Sequence, residues 1–336
     1  MATLHDVARA AGVSVSAVSR VLSNSPTVRV SDATRARIHD AARELEYRPN
    51  HAGRALKLAR SNVLALVVPD LTNAVFTELM EGVEDAALDR DYFVLLGRSE
   101  RMQPGGGTIE RLVGEGRVDA VLIQPGEGLP LTPELLHAQK APVVLLNSVD
   151  EALEGAVTAP DAEAARLAVA HLVARGHRRI ALAGGVRASA TARRREAGYR
   201  AGLAAAGIEV DERLVLHGGY SPSAGGGALR ALRESGERPT AVVFANVNAA
   251  IGGLAWARRH GVSIPADLSV VAIHDSWSAE NTSPPLTTVR LPLRELGRTA
   301  VDRAVRRLRG DREAAAPVVV DAAPVLVERD SVSPAP

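Results

Sequence analysis

The stretch Leu4-His5-Asp6-Val7-Ala8-Arg9-Ala10-Ala11-Gly12-Val13-Ser14-Val15-Ser16-Ala17-Val18-Ser19-Arg20-Val21-Leu22 predicts two short helices around a glycine turn. Ala8 stands four positions before Gly12, the spacing a helix-turn-helix requires. A small side chain at Ala8 lets the second helix cross the first closely, Gly12 accepts the positive φ of the turn, and Ser14 can cap the helix that follows. On that helix Val18, Val21 and Leu22 fall on one side and Ser16, Ser19 and Arg20 on another. One face packs, and the other is free to enter a groove.

A third helix is expected from about Ser31 to Tyr47, capped by Ser31, with Ala33, Ile38, Ala41, Ala42 and Leu45 as its inner stripe. Residues 1–60 hold ten basic side chains against five acidic ones, whereas the whole chain is only +1, so the remainder is slightly acidic. A basic end on a neutral or acidic body is the charge distribution of a nucleic-acid-binding head. Three-helix units with solvated arginines also serve as protein-interaction modules, and the helical pattern alone leaves both readings open.

Further motifs narrow the choice. Tyr47-Arg48-Pro49-Asn50 and Arg54-Ala55-Leu56-Lys57 follow the third helix. Later come Gly176-His177-Arg178-Arg179-Ile180, Arg195-Glu196-Ala197-Gly198-Tyr199 and Pro284-Pro285-Leu286-Thr287-Thr288-Val289. On these residues, in this order, the chain resembles the LacI/GalR (lactose-repressor) family of bacterial transcription regulators, from Thr3 to about Leu308. The resemblance implies a repressor that binds pseudo-palindromic double-stranded operator DNA as a homodimer and answers to a small-molecule effector. It assigns Val15, Ser16 and Arg20 to base reading and Thr3, Ser14, Ser19 and Asn24 to phosphate. Asn50, Arg54, Leu56 and Lys57 become a hinge set, with Leu56 as an apolar wedge in the minor groove. The segment agrees physically, because Gly53 and its few residues make a helix too weak to stand alone in water.

Beyond Ser61 the pattern changes. Apolar runs at 63–68, 92–96, 119–123 and 142–146 alternate with helical stretches, and the alternation begins again at 179–184, 240–245 and 269–273. This is the pattern of strands buried on both faces of doubly wound parallel α/β sheets. Two such halves exceed one core, so two lobes are expected. The resulting division is a helix-turn-helix domain at 1–47, a hinge at 48–60, and an effector-binding and dimerisation domain at 61–336. Within the last, the N-lobe takes about 61–160 and 291–323 and the C-lobe about 161–290 and 324–330. The family's body is similar to type I periplasmic sugar-binding proteins, in which ligand lies between lobes at the strand C-termini.

By the same resemblance Asn73, Phe76, Asn147, Arg195, Tyr220, Asn246 and His274 line the effector site. Flanking charges at Arg193, Arg194 and Glu196 offer Arg195 a second reading, a salt bridge on a solvated helix. Two departures bear on the ligand: Val247 follows Asn246 where the family has aspartate, and His274-Asp275 replaces a pair of aspartates whose first member often grips two sugar hydroxyls. Histidine cannot copy that grip, since neutral imidazole offers one donor and one acceptor, and the charged form would favour a carboxylate or phosphate. The effector class therefore stays open among sugars, sugar acids, glycosides, nucleosides and aromatic metabolites, with Trp277 nearby as a stacking surface.

An enzyme is the competing class. Adjacent His274, Asp275 and Ser276 cannot generally form a triad, and neither Gly-x-Ser-x-Gly nor Gly-x-x-x-x-Gly-Lys occurs. Gly105-Gly106-Gly107 and Gly225-Gly226-Gly227 lie outside any nucleotide fingerprint and are expected as loops before helices. Zero cysteines exclude thiol catalysis, disulfides and cysteine-based zinc sites, and no cofactor is expected. His177 is expected to hold a structural hydrogen bond. A secreted or periplasmic-type binding protein without a DNA-binding role is the other alternative. The opening Met1-Ala2-Thr3-Leu4-His5-Asp6 lacks the features of a signal peptide, and no run reaches membrane-spanning length, so a cytoplasmic protein is expected. With no heptad leucine tail after Arg309, the expected assembly is a dimer only.

Overall fold

The computed structural model describes residues 2–22, 30–48, 60–71, 73–99, 108–126, 141–148 and 155–336. Asn24, Asn50, Arg54, Leu56 and Lys57, together with Gly105-Gly106-Gly107, lie outside the described residues. The chain divides into two compact units, Met1–Ser61 and Asn62–Pro336.

The first unit holds α1 (Leu4–Ala11), α2 (Val15–Leu22) and α3 (Asp32–Glu44). A capping box opens α1: the Thr3 hydroxyl accepts from the Asp6 amide at 3.3 Å, while the Asp6 carboxylate accepts from the Thr3 amide at 2.9 Å. Gly12 ends the helix at φ +62, and Ser14 Oγ accepts from the Ala17 amide at 3.2 Å to start α2. Val7, Val18, Val21 and Ile38 are wholly buried where the three helices meet, each contributing about 1.5–3 kcal/mol. The inner stripe of α3 is shorter than its sequence suggests, with Ala33 and Leu45 exposed. Leu45 is already the C-cap, and Glu46 at φ +47 turns the chain so that the Tyr47 amide reaches back to the Ala42 carbonyl at 2.8 Å.

The second unit contains two six-stranded sheets. The first comprises β1 (Val63–Val68), β2 (Phe93–Arg98), β3 (Ala120–Ile123), β4 (Val143–Leu146), β5 (Ala156–Thr158) and β11 (Val318–Val319). Its order is β11-β5-β4-β3-β1-β2, parallel throughout. The second comprises β6 (Ile180–Gly184), β7 (Val215–His217), β8 (Ala241–Phe244), β9 (Ser269–Ile273), β10 (Thr287–Arg290) and β12 (Val325–Val327). Its order is β12-β10-β9-β8-β6-β7, with only β12 antiparallel. The chain passes between sheets after Thr158, after Arg290 and after Val319, which places three connecting segments side by side at one margin of the two lobes.

Seven strands match the apolar runs, because strands covered on both faces carry apolar side chains on both. β2 is the exception. It forms a sheet edge, and Phe93, Leu95 and Leu96 are 63%, 44% and 48% exposed rather than buried. The short strands β5, β7 and β10 lack a long apolar run, since two to four paired residues suffice at or near an edge.

Helices cover the sheets: α4 (Thr77–Leu88), α5 (Thr108–Gly114) and α11 (Leu293–Leu308) belong with the first, and α6 (Asp161–Ala174), α7 (Ala190–Ala205), α8 (Pro222–Glu234), α9 (Val247–Arg259) and the short α10 (Trp277–Glu280) with the second. Three helix pairs approach through glycine. A Cβ on Gly82 or Gly297 would lie 2.1 Å from the Arg294 carbonyl oxygen or 2.6 Å from that of Leu79, which locks α4 to α11. One on Gly198 would lie 1.9 Å from the Ala162 oxygen, between α7 and α6. Gly225 and Gly252 would each place a Cβ 1.8 Å from a carbonyl of the opposite helix, Ala249 and Pro222. The triplet Gly225-Gly226-Gly227 is thus not a loop before a helix; it lies inside α8, where α9 comes too near for a side chain at Gly225.

Histidines report on the packing. His177 lies between the Thr240 hydroxyl at 2.9 Å and the Ser333 carbonyl at 3.0 Å. Burial lowers its pKa from 6.5, and does the same for His171 against the partial opposition of Glu328. His274 is lowered well below 6.5, first by burial and then by Arg195. The C-terminal segment is pinned across the second sheet by Ser331, whose hydroxyl donates to the Val270 carbonyl at 2.6 Å and accepts from the Thr287 amide at 2.8 Å. Among the described residues no helix is long and apolar enough to cross a membrane.

Two stability experiments follow from this packing. Gly198→Ala should cost about 3 kcal/mol in urea unfolding, whereas Gly227→Ala, with open space at its Cβ position, should gain about 0.5–1 kcal/mol from helix propensity. Because these three histidines take protons less readily in the fold than once unfolded, the stability they contribute is present above pH 6.5 and declines as pH falls below it. His274 alone should contribute a slope of about 1.4 kcal/mol per pH unit. Urea midpoints measured at pH 7.5, 6.5 and 5.5 in wild type and His274→Asn check this, and the variant should show the shallower decline.

Candidate functional site

In the first unit, α2 presents Ser16 and Arg20 on its exposed face, joined by a 2.6 Å bond from Arg20 Nη2 to Ser16 Oγ. Val15 is half-buried and packs on the three-helix core, so only part of its side chain is available outside. Ser19 is half-buried beside them, and Ser14 and Thr3 serve as helix caps. The Thr3 hydroxyl also donates to Asp6 at 2.7 Å, and this bond is the main cause of the lowered Asp6 pKa.

In the second unit, the named residues other than Arg195, which lies on α7, follow the C-terminal ends of parallel strands, where loops and helix N-termini converge. Asn147 follows β4 at φ +53, and His274 follows β9 at φ +69; left-handed backbone is unusual for residues with a Cβ, though Asn and His tolerate it better than most. Asn246 follows β8 and caps α9, its Oδ1 accepting from the Ala249 amide at 2.8 Å. Asn73 follows β1 and caps the 3-10 turn at 74–76 through the Val75 amide at 3.1 Å, and Phe76 is buried in the apolar core. Tyr220 lies over Gly185, where a Cβ would meet the ring at 2.3 Å, and its hydroxyl is 3.1 Å from Ser189, the N-cap of α7.

Arg195 ties several of these together. It is 3% exposed; its Nε donates to Asp161 Oδ1 at 2.9 Å, Nη1 to the Ala245 carbonyl, and Nη2 to His274 Nε2 at 3.1 Å. Asp161 is 1% exposed and opens α6. Its other oxygen accepts from Arg194 Nε and Nη2 at 3.1 and 2.7 Å. Arg195 therefore does form a salt bridge, but a buried one facing the strand ends rather than a solvated one. The contribution of Asp161 and Arg194 was not read from the sequence. The available signal was Asp161 directly after Pro160 beyond an apolar strand, a position that faces the strand C-termini.

Arg194 extends the network into the other lobe. Its Nη2 and the Thr191 hydroxyl donate to the main-chain oxygen of Asn147 at 3.0 and 3.1 Å. A second bridge runs from Asn248 Nδ2 to Asn73 Oδ1 at 2.9 Å. Asn147, Arg195, Tyr220 and His274 are thus joined through α7, Asn246 stands next to the carbonyl that Arg195 grips, and Asn73 connects through Asn248. Phe76 joins by packing alone.

His274, Asp275 and Ser276 do not form a triad. Asp275 accepts from Thr288 Oγ1 at 2.8 Å and Arg290 at 2.5 Å and pairs with Arg329 at 2.9 Å, while Ser276 pairs with Ser278. Trp277 begins α10 and is 70% exposed. A groove of 400 Å³ lies beside the lobe crossings rather than at this cluster, lined in part by Glu78, Arg290, Arg294 and Val325. Its cations are matched, Arg290 by Asp275, Arg294 by Glu81 and Asp85, and Arg298 by Asp89.

Comparison with known proteins agrees with this architecture. Residues 3–50 match the model of "Bacterial regulatory proteins, lacI family", and residues 169–332 match a periplasmic binding protein-like domain. The HTH-type transcriptional repressor PurR of Vibrio atlanticus is 32% identical over 335 residues, covering 99% of each chain. The HTH-type transcriptional repressor CytR of Escherichia coli is 33% identical over 302 residues, 89% of this chain and 88% of that one. Among solved structures, the lac repressor dimer bound to operator and the anti-inducer ONPF superposes with a TM-score of 0.82 at 28% identity, over 99% of both chains. A LacI family regulator from Mycobacterium smegmatis gives 0.74 at 39% identity, over 81% of this chain and 99% of that one. These relatives are regulators rather than enzymes, and the match at residues 3–50 disfavours a binding protein without a DNA-binding role. The chain belongs to the LacI family of bacterial regulatory proteins and is a DNA-binding transcriptional regulator.

Proposed function

We propose that this regulator acts in the cytoplasm as a homodimeric repressor whose grip on a pseudo-palindromic operator is set by a small molecule held between its lobes. Residues 1–47 read DNA, 48–60 form the hinge, and 61–336 bind the effector and dimerise. In the first part Arg20 reads a base edge, since an arginine projecting from the second helix suits the paired acceptors of guanine, and Ser16 supports it. Val15 adds apolar contact, and Thr3, Ser14 and Ser19 stand near phosphate.

Arg195, His274, Asn246, Asn147, Tyr220, Asn73 and Phe76 form the effector site in this reading. The observation that carries it is the reach of Thr191 and Arg194 from α7 to the Asn147 carbonyl of the other lobe. The helix that supplies Arg195 also bridges the lobes, so a ligand bound by Arg195 changes the free energy of one lobe arrangement relative to another. Dimerisation is supported by the exposed Phe93, Leu95 and Leu96 on β2, an apolar sheet edge of the kind that soluble proteins cover.

Selection of duplexes from a random pool by the purified full chain tests the reading, and an inverted repeat should emerge. On that repeat Arg20→Ala should lose at least about tenfold in affinity while random DNA is bound almost unchanged. Equal losses on both would remove the base-reading role. Arg195→Ala should abolish the effect of metabolite extract on operator binding in a gel shift and leave the operator affinity itself within about twofold. A retained response in a folded variant would move the effector site elsewhere.

A further inference from the structure

The buried cluster around Asp161 is unbalanced in both charge and hydrogen bonding. Two guanidinium groups, Arg194 and Arg195, share one carboxylate, which leaves one excess positive charge. Both carboxylate oxygens are occupied, Oδ1 by Arg195 Nε and Nη2 and Oδ2 by Arg194 Nε and Nη2. A carboxylate offers about four acceptor positions, so Asp161 has none left for a ligand hydroxyl.

The neighbouring oxygens each hold at least one donor as well. The Ala245 carbonyl takes Arg195 Nη1, and the Asn147 carbonyl takes Thr191 and Arg194. Asn147 Oδ1 takes the Ala159 amide, Asn246 Oδ1 the Ala249 amide, and Asn73 Oδ1 both Val75 and Asn248. Donors remain. Arginine can only donate, so the 3.1 Å contact with Arg195 makes His274 Nε2 the acceptor and puts the imidazole proton on Nδ1. That Nδ1 is buried and has no partner, in a residue only 6% exposed. Arg194 Nη1 is likewise buried and unpartnered.

We propose that the effector is an anion, a small carboxylate or phosphate ester whose acidic group accepts from His274 Nδ1–H beside the Arg194–Arg195 pair. This rests on the cleft being the effector site, as proposed above, and adds the chemical class of what binds there. A neutral polyol suits the cluster less well, because each hydroxyl needs an acceptor for its own proton and the one buried carboxylate, Asp161, already holds four N–H groups. An acceptor-only group meets the orphaned donor of His274 and offsets the excess positive charge.

Titration calorimetry on the full chain tests this with inorganic phosphate and with two matched pairs, D-glucose against D-gluconate and D-ribose against D-ribose 5-phosphate. Phosphate should bind saturably, and the acidic member of at least one pair should bind roughly 10- to 100-fold more tightly than its neutral partner. His274→Asp suits the left-handed backbone and places a second carboxylate in the cluster; it should abolish anion binding. His274→Asn, also compatible with that backbone, keeps an N–H donor and should retain part of the affinity, which guards against loss of fold in the first variant. The proposal is overturned if no anion of the set binds, if neutral and acidic partners bind equally, or if anion binding survives His274→Asp unchanged, which would locate it on the basic surface. Neutral sugars that bind to wild type but not to Arg195→Ala would overturn the anion class while leaving the cleft as the effector site.

Discussion

The carboxylate of Asp161 is nearly inaccessible to water, and a charge in that position survives only when it is fully paired. Arg194 and Arg195 provide the pairing from consecutive positions on α7, and each then uses its remaining N–H groups on a different neighbour. Arg195 reaches the ends of β8 and β9 within its own lobe, whereas Arg194 reaches the end of β4 in the other. One buried ion therefore fixes the register of α7 on α6, the geometry of the strand ends, and a bridge across the cleft. The glycine at Gly198 is part of the same arrangement, because it brings α7 against the first turn of α6, where Asp161 lies.

Much of the architecture is legible in the residues because it rests on local chemistry. Gly12 and Ser14 mark the helix-turn-helix, and the caps and φ values agree with that reading. Continuous apolar runs identify strands covered on both faces, and His177 holds the structural bonds its setting suggests. The errors share a cause. The exposure of β2, the shortness of the stripe on α3 and the helical state of Gly225-Gly226-Gly227 all depend on what lies opposite each segment, which periodicity does not carry. A glycine triplet reads as a loop by propensity, and only the approach of α9 makes it a helix.

The candidate site was partly legible for similar reasons. Arg195 and His274 stand out by position and by residue type, and they are in direct contact. Asp161, Arg194, Thr191 and Asn248 are ordinary surface residues by composition and acquire significance only when two lobes meet. The departure at His274 is clear in the sequence, but its protonation state is not. Burial and the adjacent guanidinium hold the ring neutral, which removes the charged form that would itself attract an acid. Attraction for an anion then passes to the arginines, and the ring contributes direction.

Three successive glycines in α8 carry a further consequence. Each lowers intrinsic helicity by about 1 kcal/mol relative to alanine, so this segment would not stay helical in isolation. Its regularity depends on α9, whose own Gly252 makes the reciprocal approach. The two helices should open together as one cooperative unit when the lobe fluctuates, and their amide protons should exchange with solvent at a common rate. Asn246 and the loop bearing Tyr220 border this pair, so a glycine-weakened helix of the lobe lies next to the proposed effector site.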